Sequence, residues 1–302
     1  MKTNTHYWHP RYWPTWLALA ILRITIYLPS HLRILLGRAL GNLLFMVAKR
    51  RRHITQVNIR LCFPELTPKQ QHRLVQQVFQ ENAIGLLETA QSFWAPIESF
   101  KSQVVFKNIQ ALKTAVAAGK GVLLIGAHYT TLDLGGLLFS LFFPLDVMYR
   151  PHDNPLFDAV LRKARARWAH AVIPRNNMRA IFRSLKQGHI FWYPADQDYG
   201  EHLSVFAPFF GIPAATLETT ARLAQVNHSP VLIIGHHRLP DHSYVLSVSD
   251  PLTHYPSGHA VNDATQVNAE IEKQIRRFPA QYMWVHRRFK TRGEGEPDRY
   301  GE

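Results

Sequence analysis

Gly121-Val122-Leu123-Leu124-Ile125-Gly126-Ala127 is a continuous apolar run entered through Gly119-Lys120. A strand with one wet face alternates apolar and polar residues, so an unbroken run predicts a strand covered on both faces, as in a parallel sheet. Further short apolar runs follow at 145–149 (LDVMY), 189–193 (HIFWY), 231–235 (VLIIG) and 244–248 (YVLSV). Helical patterns over 155–169, 177–187 and 216–226 separate several of them. Strands alternating with helices predict an α/β fold, a mixed or parallel sheet flanked by helices. Upstream, Thr67-Pro68-Lys69-Gln70 reads as a capping box, and Leu74, Val75, Val78, Phe79, Leu86 and Leu87 follow it at helical spacing. No internal repeat is present, and no linker divides residues 50–302.

Composition narrows the class. With 35 Lys+Arg against 21 Asp+Glu in 302 residues, the net charge is +14. Such a surface attracts nucleic acid, anionic lipid or an acidic protein, and composition does not choose among them. The 46% hydrophobic content excludes global disorder, and a mean hydropathy of −0.16 excludes a polytopic membrane protein. Cys62 is the one cysteine, which excludes an intrachain disulfide and a Cys-rich zinc site. At the front, residues 2–13 are polar, aromatic and basic, Trp16–Leu28 and Ile34–Ala48 are largely apolar, and Lys49–Arg52 is a basic run. The window Trp16–Leu36 is about long enough to cross a bilayer, although Arg23, Pro29, His31 and Arg33 interrupt it. Aromatics at the headgroup level and cations on the cytoplasmic side favour a membrane anchor over residues 1–48, spanning or lying on the surface, with the remaining domain at 49–302. The competing reading is a pair of ordinary core helices.

The common nucleotide, hydrolase and zinc-peptidase signatures are absent, and the 17 histidines show no metal-ligand spacing. What remains is H-x-x-x-x-D, which occurs twice, at His128/Asp133 and at His236/Asp241. Chance alone gives about one such pair here, so context must separate them. His128 ends the buried strand run, where open α/β sheets bind ligands, and an apolar helical pattern follows it. His236 lies in HHRLPD, where Pro240-Asp241 reads as a hairpin turn. On one continuous helix, residues i and i+5 stand about 140° apart. His128 and Asp133 therefore meet only if the histidine lies on the preceding loop, with Asp133 in the first helical turn and Thr130 or Thr131 as cap. A carboxylate-oriented histidine without a protein nucleophile suits deprotonation of a substrate hydroxyl. The spacing fits equally a histidine in a strand-end loop with an unrelated aspartate at a helix N-terminus.

Several stretches, taken in order, resemble the late acyltransferases of lipid A biosynthesis, within the wider lysophospholipid and glycerol-phosphate acyltransferase superfamily. They are HPRYWPTWL (9–17), NIRLCFPEL (58–66), GAHYTTLDLG (126–135), YRPHDNPLFDAVL (149–161), WYPADQDYG (192–200), FAPFFGIPAATLETTARLA (206–224) and QYMWVHRRFKTRGEG (281–295). The resemblance implies the superfamily's α/β fold behind an N-terminal membrane-anchoring helix. It implies transfer of a fatty acyl chain, lauroyl foremost, from acyl carrier protein to a hydroxyacyl hydroxyl of a Kdo-bearing lipid A precursor at the cytoplasmic face of the inner membrane. Myristoyl or palmitoleoyl transfer, or a phospholipid acceptor, is the alternative within the class. A basic membrane- or nucleic-acid-binding protein without catalysis is the alternative outside it. Carried over by position, His128 becomes the general base and Asp133, where many relatives have Glu, its orienting partner. Arg165 and Asp196 fall in stretches where the family has functional residues, and Arg150 stands ready to bind phosphate or to pair with Asp153. No metal or cofactor is implied, nor a nucleic acid partner.

Overall fold

The computed structural model describes residues 7–293 and 295–301, so residues 2–6 of the front stretch and Glu294 of the last matching stretch lie outside it. Helices α1 (Trp13–Thr25) and α2 (Ser30–Val47) follow one another across a turn ending at Pro29. The apolar window Trp16–Leu36 is thus broken in its middle. Among the described residues no single helix is long and apolar enough to cross a membrane; one bent pair, α2 with α3 (Lys49–Cys62) at 96°, meets the length and composition. Leu17, Ile21 and Ile24 on α1 and Leu35, Leu43 and Met46 on α2 are exposed. The other side of α2 lies on α4 (Pro68–Trp94). Gly37 and Gly41 make this approach close: a Cβ would stand 2.5 Å from Ile84 and 2.4 Å from Gln80. The capping box forms as expected, Thr67 N–H donating to Gln70 Oε1 at 2.8 Å while Gln70 N–H donates to Thr67 Oγ1.

The α/β body then runs β1 (Val104–Lys107), α5 (Ile109–Ala117), β2 (Val122–Gly126), α6 (Leu132–Ser140), β3 (Leu145–Tyr149), α7 (Pro155–Arg165), β4 (Ala171–Pro174), α8 (Met178–Lys186) and β5 (Ile190–Pro194). After it come a hairpin of β6 (Ser204–Phe209) and β7 (Ile212–Leu217), then α9 (Thr219–Gln225), β8 (Val231–Arg238), β9 (Tyr244–Val248) and α10 (Ala260–Arg277). Seven strands form one sheet in the order β1-β9-β8-β2-β5-β3-β4, parallel except for the β8–β9 hairpin. The helical pattern over 216–226 begins late because Ser204–Ala207 capture residues 214–217 as a strand.

The opening run occupies the middle of this sheet, and its residues alternate between two cores. Leu123 and Ile125 pack with α3, α4, α8 and α10. Val122 and Leu124 pack with α5 and α6. Both faces are dry, which is why no polar residue interrupts the strand. The tail closes the molecule. Trp284, Arg288 and Phe289 are buried, and Asn58 of α3 donates to the carbonyls of Trp284 and His286.

Candidate active site

Strands β2 and β5 are parallel neighbours with Gly126 opposite Pro194. Two residues beyond each lie His128 and Asp196, so the register sets them side by side. Asp196 Oδ1 stands 2.7 Å from His128 Nδ1, and Oδ2 accepts the His128 backbone N–H at 2.9 Å. The carboxylate therefore grips ring and main chain at once. A carboxylate only accepts, so Nδ1 carries the proton and Nε2 is the free base position. Asp196 is fully buried. Burial works to raise its pKa; the charge and hydrogen bond of His128, with His286 beyond, outweigh that and hold the carboxyl well below the usual range.

Asp133 lies in the first turn of α6, as the spacing predicts, but its partner is different. Its Oδ1 accepts from Arg165 Nε at 2.7 Å, and both side chains are mostly buried. Arg165 ends α7 and turns inward to make this pair. The expected His128–Asp133 hydrogen bond is replaced by His128–Asp196, because the sheet register brings Asp196 to the ring nitrogen first. The cap also departs from expectation. Thr131 stands at the N-cap of α6, but its hydroxyl donates to the carbonyl of His236 and meets His236 Nδ1 at 2.7 Å. His236 is not in the hairpin turn at all: it is a buried residue of β8, pushed down to a pKa of about 4 by burial and therefore neutral. Asp241 does sit in the turn and accepts from Ser243, so the second H-x-x-x-x-D makes no pair. Arg150 is exposed beyond β3 and forms no ion pair with Asp153 among the described residues.

Beneath α6 lies a narrow cleft of about 20 Å³, walled by Leu132, Phe139, Val147, Trp168 and Trp192 and, at its polar side, by the Asp133–Arg165 pair. Gly136 borders it, and a Cβ there would meet the Trp168 ring at 2.6 Å.

The loop that carries His128 is braced by the tail. Met283 N–H donates to the His128 carbonyl at 2.9 Å and Thr130 N–H to the Gln281 carbonyl at 2.8 Å, with Tyr129 and Tyr282 bridged between them. His286 follows, its ring 6.4 Å from that of His128. Its Nδ1 is 2.6 Å from the Met283 carbonyl, so Nδ1 is the donor. Burial lowers its pKa to about 4, which leaves Nε2 as a lone-pair acceptor, buried and without a hydrogen-bond partner among the described residues.

The sequence matches the family described as bacterial lipid A biosynthesis acyltransferase over residues 1–291. It is 36% identical to the lipid A biosynthesis lauroyltransferase of Escherichia coli (strain K12) over 99% of this chain and 98% of the relative. It is 35% identical, over the same shares, to the palmitoleoyltransferase of that organism. It is 26% identical to the myristoyltransferase there, over 97% and 91%. The chain belongs to the bacterial lipid A biosynthesis acyltransferase family.

It is therefore an acyltransferase, and the reading as a non-catalytic basic protein falls. Of the expected site residues of this acyltransferase, His128 and Asp196 meet, Asp133 and Arg165 meet, and Arg150 stands apart at the surface. His286 was missed as a site residue. It lies in the matching stretch at 281–295, and only the tertiary fold brings that segment back onto the loop at 128–130. The histidine under α6 was missed too: His236 reads as a turn residue until β8 is seen to run to Arg238.

Proposed function

We propose that this acyltransferase moves a fatty acyl chain, lauroyl foremost, from acyl carrier protein to a hydroxyacyl hydroxyl of a Kdo-bearing lipid A precursor. The observation that carries this reading is the buried, ionised Asp196 gripping His128 where the parallel strands β2 and β5 end. His128 Nε2 takes the proton of the acceptor hydroxyl, and the oxygen attacks the thioester carbonyl. Asp196 stabilises the imidazolium that forms, and the start of α6, just after His128, offers its positive dipole end to the oxyanion. As the tetrahedral intermediate collapses, the proton passes from His128 to the leaving thiolate. The Asp133–Arg165 pair fixes the start of α6 against the end of α7. A palmitoleoyl donor is the second reading, since the relative of that name is within one percentage point of the lauroyl one.

The exposed apolar side chains of α1 and α2, followed by Lys49–Arg52, support an anchor that lies on or dips into the cytoplasmic leaflet of the inner membrane. The test is transfer by the purified full-length chain, given acyl carrier protein loaded with lauroyl, myristoyl or palmitoleoyl and a Kdo-bearing acceptor. The expected result is a mass gain of one acyl chain on the acceptor, fastest with lauroyl. A faster palmitoleoyl donor would favour the second reading, and no gain with any donor would sink both.

A further inference from the structure

At the opposite edge of the sheet from His128, three strand beginnings converge. Asp146 is the second residue of β3, His170 immediately precedes β4, and His189 immediately precedes β5. Main-chain bonds hold both histidines in place: His170 N–H donates to the Leu145 carbonyl and His189 N–H to the Ser184 carbonyl. Asp146 Oδ1 is 2.6 Å from His170 Nδ1, and Oδ2 is 3.0 Å from His189 Nδ1. The two rings stand 4.7 Å apart, nearly perpendicular. Ser184 of α8 donates its hydroxyl to Asp146 Oδ2 at 2.6 Å.

We propose that Asp146, His170 and His189 form a binding site for a divalent first-row metal ion, zinc foremost, separate from the acyl-transfer centre. The donor set is two imidazoles and one carboxylate, the borderline ligands such ions take. All three ligand atoms lie within 4.8 Å of one another. Around a tetrahedral zinc, ligand atoms stand about 3.3 Å apart, given zinc–ligand bonds near 2.0–2.1 Å. The two Asp–His distances, 2.6 and 3.0 Å, need to open by less than about 1 Å to admit the ion in place of the ring protons. Asp146 is 2% exposed while the imidazoles are 50% and 34% exposed. The carboxylate is thus fixed from below by Ser184, and the rings face water, which supplies the fourth ligand. Ser184 plays the outer hydrogen-bonding part that orients a metal-bound carboxylate. Five to seven residues of strand separate the site from His128, roughly 20 Å. A metal here ties the starts of β3, β4 and β5 together and takes no part in the transfer. No sequence spacing marks it, because the three ligands come from three separate strands.

The test uses the full-length chain in detergent, without a polyhistidine tag, dialysed against zinc ion and washed. The wild type should retain about one zinc per chain beyond the His170→Ala and His189→Ala variants, whose affinity should fall at least ~10-fold. Zinc should raise the melting temperature of the wild type and leave that of the variants unmoved. His170 is half exposed, so its replacement leaves the fold intact, and retained acyl transfer by that variant checks this independently. Equal zinc content in wild type and variants, or none in either at ~10 μM free zinc, would overturn the proposal and leave the trio as a hydrogen-bonded staple.

Discussion

The proposed chemistry of this acyltransferase rests on which carboxylate holds His128. His128→Ala removes the proposed proton acceptor and should lower transfer ~10²–10⁴-fold. Asp196→Asn should be nearly as severe, since an amide accepts the Nδ1 proton but does not stabilise an imidazolium. Steady-state transfer by both variants, with melts to confirm folding, checks this; an active Asp196→Asn enzyme would refute the clamp. The depressed pKa of Asp196 also sets a pH signature. The group contributes stability fully above its unfolded pKa of about 4, and loses it as pH falls toward the lower native value, because the unfolded chain then binds the extra proton. The melting temperature of Asp196→Asn should therefore fall less steeply than that of the wild type between about pH 5 and pH 3. Asp133 and Arg165 form a second, mostly buried pair. Removing either partner alone, as Asp133→Asn or Arg165→Met, leaves a charge or dipole unmatched and should cost ~3–5 kcal/mol. The double variant should recover part of that loss. Strictly additive melts would mean that the two do not interact.

Elements transmit these residue contacts. His236 of β8 packs against α6 so closely that a Cβ on Gly135 would meet its ring at 2.5 Å, and it occupies the Thr131 hydroxyl at the start of that helix. His236→Ala opens a void and removes the ring's bond to the Thr131 hydroxyl, while that hydroxyl keeps its bond to the residue-236 carbonyl, a loss of ~2–3 kcal/mol. Asp241→Ala, in the exposed turn, should stay within ~0.5 kcal/mol. Thermal melts of the two should differ by several degrees; equal melts would show that the wedge carries no weight. The N-terminal helices are bound to the body in the same manner. Asn42 of α2 accepts from Gln76 and Gln80 of α4, and Phe45 meets Phe79 edge-on at 5.7 Å. A deletion of residues 1–48 should release the protein from membranes, as an anchor reading expects, but should also bare Phe79 and Ile84 and lower the melting temperature. Sedimentation after a high-salt wash tests the first outcome and calorimetry the second. A truncated chain that still pellets with membranes would contradict the anchor.

On the scale of the whole molecule, the +14 charge should govern encounter with an acidic carrier protein. Raising salt from ~0.1 to ~1 M shortens the Debye length from about 10 to about 3 Å. The KM for the acyl carrier should rise with little change in kcat, and a salt-insensitive KM would argue against electrostatic docking. Much of this architecture is legible in the chain alone. The unbroken apolar run at 121–127 announces a doubly covered strand, because burial on both faces leaves no room for alternation. The Thr67–Gln70 capping box, the strand at 145–149 and the position of His128 at a strand end follow from local pattern in the same way. Pairing across the fold is another matter. That Asp196 rather than Asp133 meets His128 depends on Gly126 standing opposite Pro194, a register no local spacing encodes. That His236 is a buried wedge depends on how far β8 continues against β9, and that His286 comes near His128 depends on the tail folding back along residues 128–130. Local patterns report which face of an element is dry, since period and burial are properties of a single segment. Partners are set by the sheet order, which forms only when distant segments share one core.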